Sequence, residues 1–311
     1  MDIDFLLGVS SAAAQIEGGD LPTNWNDWYK KGHIKDGASP GRANDHLHRW
    51  KEDIDLMAEM GITIYRLGIE WARLEPVMGR YDNAARDWYR SLLLYMKSKG
   101  ISPLLTLHHF TNPMWFEETG GFTNPANIPV FLGFVEYAVR QFGDLVDEYV
   151  TINEPNVFAV MGYFTGVFPP GKKSVPLALK VQSILASCHI LSYQLIHRVR
   201  KEMGCKNTAV GFAHHARVFE PKSKVNPLHI ICTGLAERSF QGLLVRACRL
   251  GRFAFPLTRY GETKAGEYAD FLGLNYYTRS TISNLGDGVR GNVPLNDLGW
   301  EIYPQGIVTC A

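Results

Sequence analysis

Short apolar segments alternate with longer segments of helical periodicity along this chain. The apolar segments predict six β-strands, at residues 5–9, 64–69, 103–107, 149–152, 209–213 and 271–274. Strands that alternate with helices are typical of βα units around a parallel sheet. We therefore expect an α/β fold in which helices cover a mostly parallel sheet.

Three segments between these strands have the period of amphipathic helices. The longest follows the fourth strand, where apolar residues recur at alternating steps of four and three from Leu177 to Leu195. We expect it to end near Met203, because Gly204 follows and glycine commonly terminates a helix. The other two are indicated by Trp50, Ile54, Met57 and Met60, and by Ile128, Phe131, Val135, Ala138 and Phe142.

A polar pair stands where the fourth predicted strand ends, at Asn153 and Glu154. Pro155 follows and has no N–H with which to continue a ladder. In α/β barrels the carboxyl ends of the strands carry the catalytic residues, and burial raises the pKa of a carboxyl group. Glu154 is therefore a candidate general acid, although a residue at this position also fits the N-cap of the next helix.

Other polar residues follow other predicted strands, which places them at the same end of the sheet. They are Gln15, Arg66, His109, Asn275 and Tyr277. Six strand-helix units form either an open doubly wound sheet or most of a (β/α)8 TIM barrel. The chain has neither a Gly-x-Gly-x-x-Gly motif nor a P-loop, which weakens the nucleotide-binding alternative. With no linker and no internal repeat, we expect residues 1–311 to form one domain.

Composition and charge narrow the functional classes. Hydrophobic residues make up 46% of the 311 residues, enough for a sizeable core. The 32 basic and 31 acidic residues leave a net charge of +1, so we expect no nucleic acid and no anionic membrane as partner. We find no apolar run of the roughly 18 to 20 residues that span a bilayer. Asp2 and Asp4 stand where a secretory leader carries basic residues, which predicts a cytoplasmic protein.

The cysteine and histidine residues predict neither a disulfide framework nor a metal site. The five cysteines are scattered, odd in number and without C-x-x-C spacing. His214 and His215 have no acidic or cysteine partner at metal-ligand spacing. We therefore expect no metal and no cofactor.

Several stretches, taken in order, resemble glycoside hydrolase family 1, the retaining β-glucosidases and their relatives on a (β/α)8 barrel. The similarity runs over essentially the whole chain, and the combination is far more specific than any single motif. The matching stretches include FLLGVSSAAAQIE at 5–17, DHLHRWKEDIDLMAEMG at 45–61, LLTLHHF at 104–110, TINEP at 151–155, FPPG at 168–171, DFLGLNYYTRS at 270–280 and LGWEIYP at 298–304.

The resemblance implies a role for each of these polar residues. It implies that Glu154 is the general acid/base and that the Asn153 amide binds the sugar 2-hydroxyl. It also implies that Arg66 and Tyr277 keep a nucleophilic carboxylate ionised. Substrate binding is implied for Gln15, His109, Asn153, Asn275, Tyr277 and Trp300.

The chain departs from the family pattern at the nucleophile. In the family this carboxylate belongs to an Ile/Val-Thr-Glu-Asn-Gly motif on the seventh barrel strand, and the motif does not occur here. The resemblance therefore implies a C-terminally truncated member with about six of the eight βα units. We expect a β-glycosidase-like hydrolase of β-D-glucosides or β-D-galactosides whose isolated chain is inactive. Phe110 and Asn156 replace tryptophans that are frequent in the family, which leaves the aglycone open.

Two other functions stay open. A 6-phospho-β-glycosidase shares the family pattern, although an aliphatic residue before Gly299-Trp300 is more typical of the unphosphorylated class. A non-catalytic sugar-binding protein would keep Gln15, His109 and Asn153 while lacking the nucleophile. In each case the expected ligand is a β-glycoside or a sugar, and the oligomeric state is left open.

Overall fold

One sheet organises the chain, whose computed structural model describes residues 6–38, 41–284 and 286–311. Its first six strands are parallel and neighbour one another in chain order, and a short antiparallel strand extends the sixth. The strands are β1 (Gly8–Ser10), β2 (Ile64–Gly68), β3 (Ser102–His108), β4 (Glu148–Asn153), β5 (Ala209–Pro221), β6 (Phe271–Ser283) and β7 (Gly286–Gly288). Sequential parallel strands joined by helices build the (β/α)8 barrel, and this sheet is an incomplete one.

Helices connect the parallel strands and cover the outside of the sheet. Their starts follow local chemistry, since the Asp82 and Ser174 side chains accept hydrogen bonds from the first-turn N–H groups of two of them. The helices are α1 (Ala13–Ile16), α2 (Asn24–Lys30), α3 (His46–Glu59), α4 (Trp71–Leu74), α5 (Asn83–Ser98), α6 (Met114–Glu118), α7 (Ile128–Phe142), α8 (Pro155–Ala159), α9 (Val175–Glu202), α10 (Pro227–Glu237), α11 (Leu243–Leu250) and α12 (Gly306–Cys310). The three periodic segments thus correspond to α3, α7 and α9, and Met203 is the C-cap of α9.

The long helix α9 corrects one expectation from the sequence. By length and composition it is apolar enough to cross a membrane, although we expected no such stretch. However, 67% of its most apolar window is buried inside the protein, where it packs on α7 and on strands β4 and β5. Such burial is characteristic of a core helix.

The fifth and sixth strands are much longer than predicted. Both run on for several residues past Ala213 and Leu274, and they stay paired to Pro221 and Ile282. These extensions form a two-stranded arm above the carboxyl end of the sheet, to which β7 is added. Asn275 and Tyr277 therefore lie inside β6, and Arg66 lies inside β2, which corrects the prediction that these residues follow their strands. The predicted first strand begins at Phe5, which lies outside the described residues, and the observed strand starts at Gly8.

The core beside the site is rich in aromatic side chains. Trp71 is 2% exposed, stacks on Phe134 with ring centroids 4.8 Å apart, and donates its indole N–H to Glu75 at 2.7 Å. Trp115 packs edge-on against Trp71. Trp71 is thus a core residue, and the aromatic packing around it gives strands β2 and β3 a rigid backing.

Candidate active site

Glu154 follows directly after β4, at the carboxyl end of the sheet. Its backbone N–H donates to the Ala213 carbonyl at 2.7 Å, and its φ of 47° and ψ of 60° lie in the left-handed region. A non-glycine residue in this conformation costs about 1–2 kcal/mol. Glu154 occupies the N-cap position of α8, as the spacing allowed, but its side chain makes no capping hydrogen bond to that helix.

The Glu154 carboxyl instead faces β6. Its Oε1 accepts hydrogen bonds from the Asn275 amide at 2.6 Å and from the Tyr277 hydroxyl at 3.2 Å. The pairing of β6 with β5 shifts by one residue between Tyr276 and Thr278, and at this irregularity both Asn275 and Tyr277 reach Oε1. The same Asn275 amide nitrogen lies 3.2 Å from Oδ1 of Asn153. Asn275 therefore joins the two residues of the polar pair.

Arg66 approaches Asn153 from the opposite side. Its Nη2 donates to Asn153 Oδ1 at 2.5 Å, while its Nε donates to the Thr106 hydroxyl at 3.0 Å. Asn153 Oδ1 thus accepts from both Arg66 and Asn275, which fixes the orientation of the amide. The structure gives the Asn153 Nδ2 group no partner within the described ranges, so it is available to donate to a ligand oxygen.

Burial controls the protonation of Glu154. The residue is 5% exposed, and desolvation raises the pKa of its carboxyl. Hydrogen bonds from Asn275 and Tyr277 oppose this rise most strongly, followed by the charges of Arg66 and Arg217. A neighbouring carboxylate would add to the rise by repulsion, but the main raising cause is burial alone. A carboxyl group with a raised pKa is suited to give up a proton near neutral pH.

The two histidines at the end of β3 have different surroundings. His108 is buried, donates from Nε2 to Asn112 Oδ1 at 2.9 Å, and packs edge-on against Phe122. His109 is half-buried, and its Nδ1 has no hydrogen-bond partner among the described residues. Burial, then the Arg66 and His108 charges, lower the pKa of His109 to about 3. A neutral imidazole can both donate to and accept from a hydroxyl group.

The remaining predicted residues lie at the same end of the sheet. Gln15 is exposed in α1, directly after β1, and in the described part of the chain no hydrogen bond joins it to the Glu154 cluster. Trp300 is half-buried and packs edge-on against Tyr277, with ring centroids 5.8 Å apart. Arg66, Asn153, Glu154, Asn275, Tyr277 and Trp300 therefore form one continuous group.

Two further residues of the site were not predicted from the sequence. His215 stacks on Tyr277 with centroids 4.6 Å apart, and its Nδ1 lies 3.9 Å from Oε2 of Glu154. Arg217 donates to Nε2 of His215 and lies over the Trp300 ring. The available signal was the two-residue spacing of His215 and Arg217, but the predicted fifth strand ended at Ala213. Over the described ranges, no three His, Cys, Asp or Glu side chains cluster as they would at a metal site.

Several known proteins are similar to this chain in sequence and in architecture. The pattern that defines glycosyl hydrolase family 1 matches residues 1–293. Beta-glucosidase A of Thermotoga maritima is 27% identical over 97% of this chain and 72% of its own length. The structure of a Pyrococcus horikoshii β-glycosidase matches 98% of this chain and 71% of its own, with a TM-score of 0.87 and 30% identity. A Thermotoga maritima β-glucosidase in complex with glucoimidazole matches with a TM-score of 0.89 and 28% identity, over 97% of this chain and 72% of its own.

Proposed function

The chain belongs to glycosyl hydrolase family 1, and we propose that its residues supply the acid/base half of a retaining β-glycosidase site. The observation that carries this proposal is the Glu154 carboxyl, which is buried at the end of β4 with a raised pKa. In the first step of a retaining mechanism the acid protonates the leaving glycosidic oxygen, and in the second it acts as a base on water. Glu154 serves both steps.

The neighbouring groups are suited to hold the sugar. Because Asn153 Oδ1 is occupied by Arg66 and Asn275, the Asn153 amide presents its N–H group to the 2-hydroxyl. This bond strengthens as positive charge develops on the ring in the transition state. Gln15 and the neutral His109 imidazole bind the remaining hydroxyls, and Trp300 lies beside the leaving group.

The nucleophilic carboxylate is the part of a retaining site that these residues do not supply. A retaining site needs a second carboxylate about 5 to 5.5 Å from the first. The family motif for it does not occur in the 311 residues. A second carboxylate beside Glu154 would raise its pKa by repulsion, and no carboxylate is among the main causes of that rise in the described part of the chain. We propose that this carboxylate is not among these residues and that the chain alone hydrolyses glycosides very slowly. Arg66 and Tyr277 are the groups that would keep it ionised.

The proposed substrates are β-D-glucosides and β-D-galactosides. Support comes from the Thermotoga maritima relative, which is named a β-glucosidase and whose structure holds glucoimidazole. A 6-phospho-β-glycoside is the alternative, and comparing turnover of a glucoside with that of its 6-phosphate decides between them. We also propose a cytoplasmic location in carbohydrate metabolism, which the free state of all five cysteines, each in the described part, supports.

A small external nucleophile tests this division of labour. Azide added to the chain with phenyl β-glucoside should attack C1 as the C1–O bond breaks, and Glu154 should protonate the departing oxygen. The expected product is the α-glucosyl azide, because a single displacement inverts the configuration. Glu154→Gln should slow this reaction by about 10²- to 10⁴-fold. Dinitrophenyl β-glucoside needs no proton on its leaving group, so the variant should still react with it.

Three outcomes would count against parts of the proposal. Turnover of phenyl β-glucoside without azide, and with retained configuration, would place a nucleophile within the chain. Equal rates for the native chain and Glu154→Gln with the phenyl substrate would remove the acid role from Glu154. Binding of glucoimidazole with no azide-dependent turnover of either substrate would favour a non-catalytic sugar-binding protein.

A further inference from the structure

Arg217 and His215 share one face of β5 because they are two residues apart in a strand. Nε and Nη2 of Arg217 lie 3.2 and 3.1 Å from Nε2 of His215. Arg217 is itself held by Ser280 Oγ at 3.1 Å and by the Asp287 carboxylate at 3.2 Å. A guanidinium group carries donors only, so Nε2 of His215 must accept.

This contact determines where the imidazole proton resides. Burial, then the charges of Arg217 and His214, lower the pKa of His215 to about 3, so the ring is neutral. A neutral imidazole has one N–H, and because Nε2 accepts, the proton is on Nδ1. Nδ1 is the atom that lies 3.9 Å from Oε2 of Glu154. The pair is therefore not an ion pair. It is a weak approach of an N–H to a carboxyl oxygen, of the kind that commonly tightens in a substrate complex.

We propose that Arg217 fixes His215 in its Nδ1–H tautomer and that His215 is a positioning residue which keeps the acid proton of Glu154 for the glycosidic oxygen. The inference rests on the proposed acid/base role of Glu154. Oε1 of Glu154 already accepts from Asn275 and Tyr277, which leaves the acid proton on Oε2. Because Oε2 faces a donor, the proton has no acceptor on His215.

The same tautomer serves the second step. When Glu154 is the base, its carboxylate is negatively charged, and the Nδ1–H dipole of His215 stabilises that charge. The opposite tautomer would present a lone pair to Oε2, take up the acid proton in the first step and repel the carboxylate in the second. The arm formed by β5 and β6 thus contributes to the chemistry, since it carries the residues that orient this ring.

Charged and titratable groups reach this site from several strands. Arg66 faces Glu154 from β2, Tyr277 from β6, and His215 and Arg217 from β5. His214 acts on His215 from the same strand, and Asp287 of β7 pairs with Arg217. All of these surrounding groups are the same whichever nitrogen of His215 carries the proton. Their charges therefore cannot reveal which tautomer is present. The histidine ring itself must be observed.

Nitrogen NMR of the ¹⁵N-histidine-labelled chain tests the inference without any turnover. Native His215, assigned by its loss in His215→Gln, should show a protonated Nδ1 and an unprotonated Nε2 from about pH 6 to about pH 8. Arg217→Met should convert the ring to a mixture of tautomers or to Nε2–H. Arg217→Lys is the matched control, because an ammonium group also donates to Nε2 and should keep the proton on Nδ1. An Nε2–H ring or an imidazolium in the native chain would overturn the inference, even if a variant failed to fold.

A second measurement connects the tautomer to Glu154. Carbon NMR of the Glu154 carboxyl should show a pKa higher by about one unit in His215→Phe, which keeps the stacked ring and loses the N–H. His215→Gln retains an N–H donor and should restore most of the native pKa. An unchanged Glu154 pKa in His215→Phe would remove the link. Both measurements stand whether or not azide restores glycoside cleavage, so failure of the proposed function is seen separately.

Discussion

Replacing Glu70 by glutamine is expected to remove a pH dependence from the stability of this fold. Glu70 is 3% exposed at the N-cap of α4, and its Oε1 accepts from the Ala72 N–H at 3.4 Å. Burial, then the charge of Glu17, raises the pKa of Glu70 to about 8. Glu17 instead pairs with Arg73 at 2.9 Å, so Glu70 is the carboxyl that keeps its proton at neutral pH.

The sign and size follow from proton linkage. The pKa of Glu70 is about 8 in the folded protein and 4.5, its ordinary value, in an unfolded chain. Its stabilising contribution is complete below about pH 4.5 and is lost as pH rises through about 8. Between these limits each pH unit lowers the free energy of unfolding by about 1.4 kcal/mol, and the whole range amounts to about 5 kcal/mol. Glutamine is neutral at every pH, so Glu70→Gln lacks this pH-dependent contribution to the free energy of unfolding.

Urea denaturation of the native chain and Glu70→Gln, followed by circular dichroism, measures the effect. From about pH 5.5 to about pH 7.5, the stability of the variant relative to the native chain should rise by about 3 kcal/mol. Glu118→Gln, at an exposed position, controls for the loss of one acidic group. A Glu70→Gln difference that stays constant with pH would mean that Glu70 is already ionised in the folded protein, and the reasoning from burial would fail.

Three further substitutions test packing and the site. Trp71→Ala should lower the free energy of unfolding in urea by about 3–5 kcal/mol, because it empties a core position; a loss below 1 kcal/mol would contradict the burial. Gly211→Ala should cost about 1–3 kcal/mol in the same assay, since its methyl group would overlap a β6 carbonyl, whereas Gly133→Ala, with open space around it, should not destabilise. Asn275→Leu removes the 2.6 Å hydrogen bond to Glu154 and should raise the Glu154 pKa in a carbon NMR titration.

Local pattern was sufficient for elements whose sequence signal lies within the element itself. The helix α9 was predicted within a few residues, because its apolar face repeats over many turns and Gly204 ends it. The extensions of β5 and β6 were missed for the opposite reason. Past Ala213 the chain mixes polar and apolar residues without a regular alternation, and only pairing with Leu274 and the residues after it makes this a strand. Such pairing joins strands that are far apart in the sequence, so a short stretch of residues gives no sign of it.

The candidate site likewise contains residues that the local sequence predicts and contacts that depend on the tertiary fold. Asn153 and Glu154 were predicted because they end an apolar run, and Asn275 and Tyr277 because they follow another and match a family motif. The bond from Asn275 to Glu154 was not predicted, since it joins residues 121 positions apart. The His215 contact depends on the arm and was missed with it. Sequence motifs thus located the strand-end residues, while the partners of each group depended on which strands are neighbours.

At Glu154 the left-handed backbone conformation lowers the stability of the fold, while the side chain is the one proposed to carry the activity. Glycine adopts this conformation without the cost that glutamate bears, so the backbone would gain by replacing the residue whose carboxyl the proposed chemistry requires. Selection for thermal resistance and selection for glycoside cleavage therefore diverge at residue 154. Directed evolution that rewards only heat tolerance should favour loss of Glu154, and it would yield a more stable fold from which the proposed acid/base had been removed.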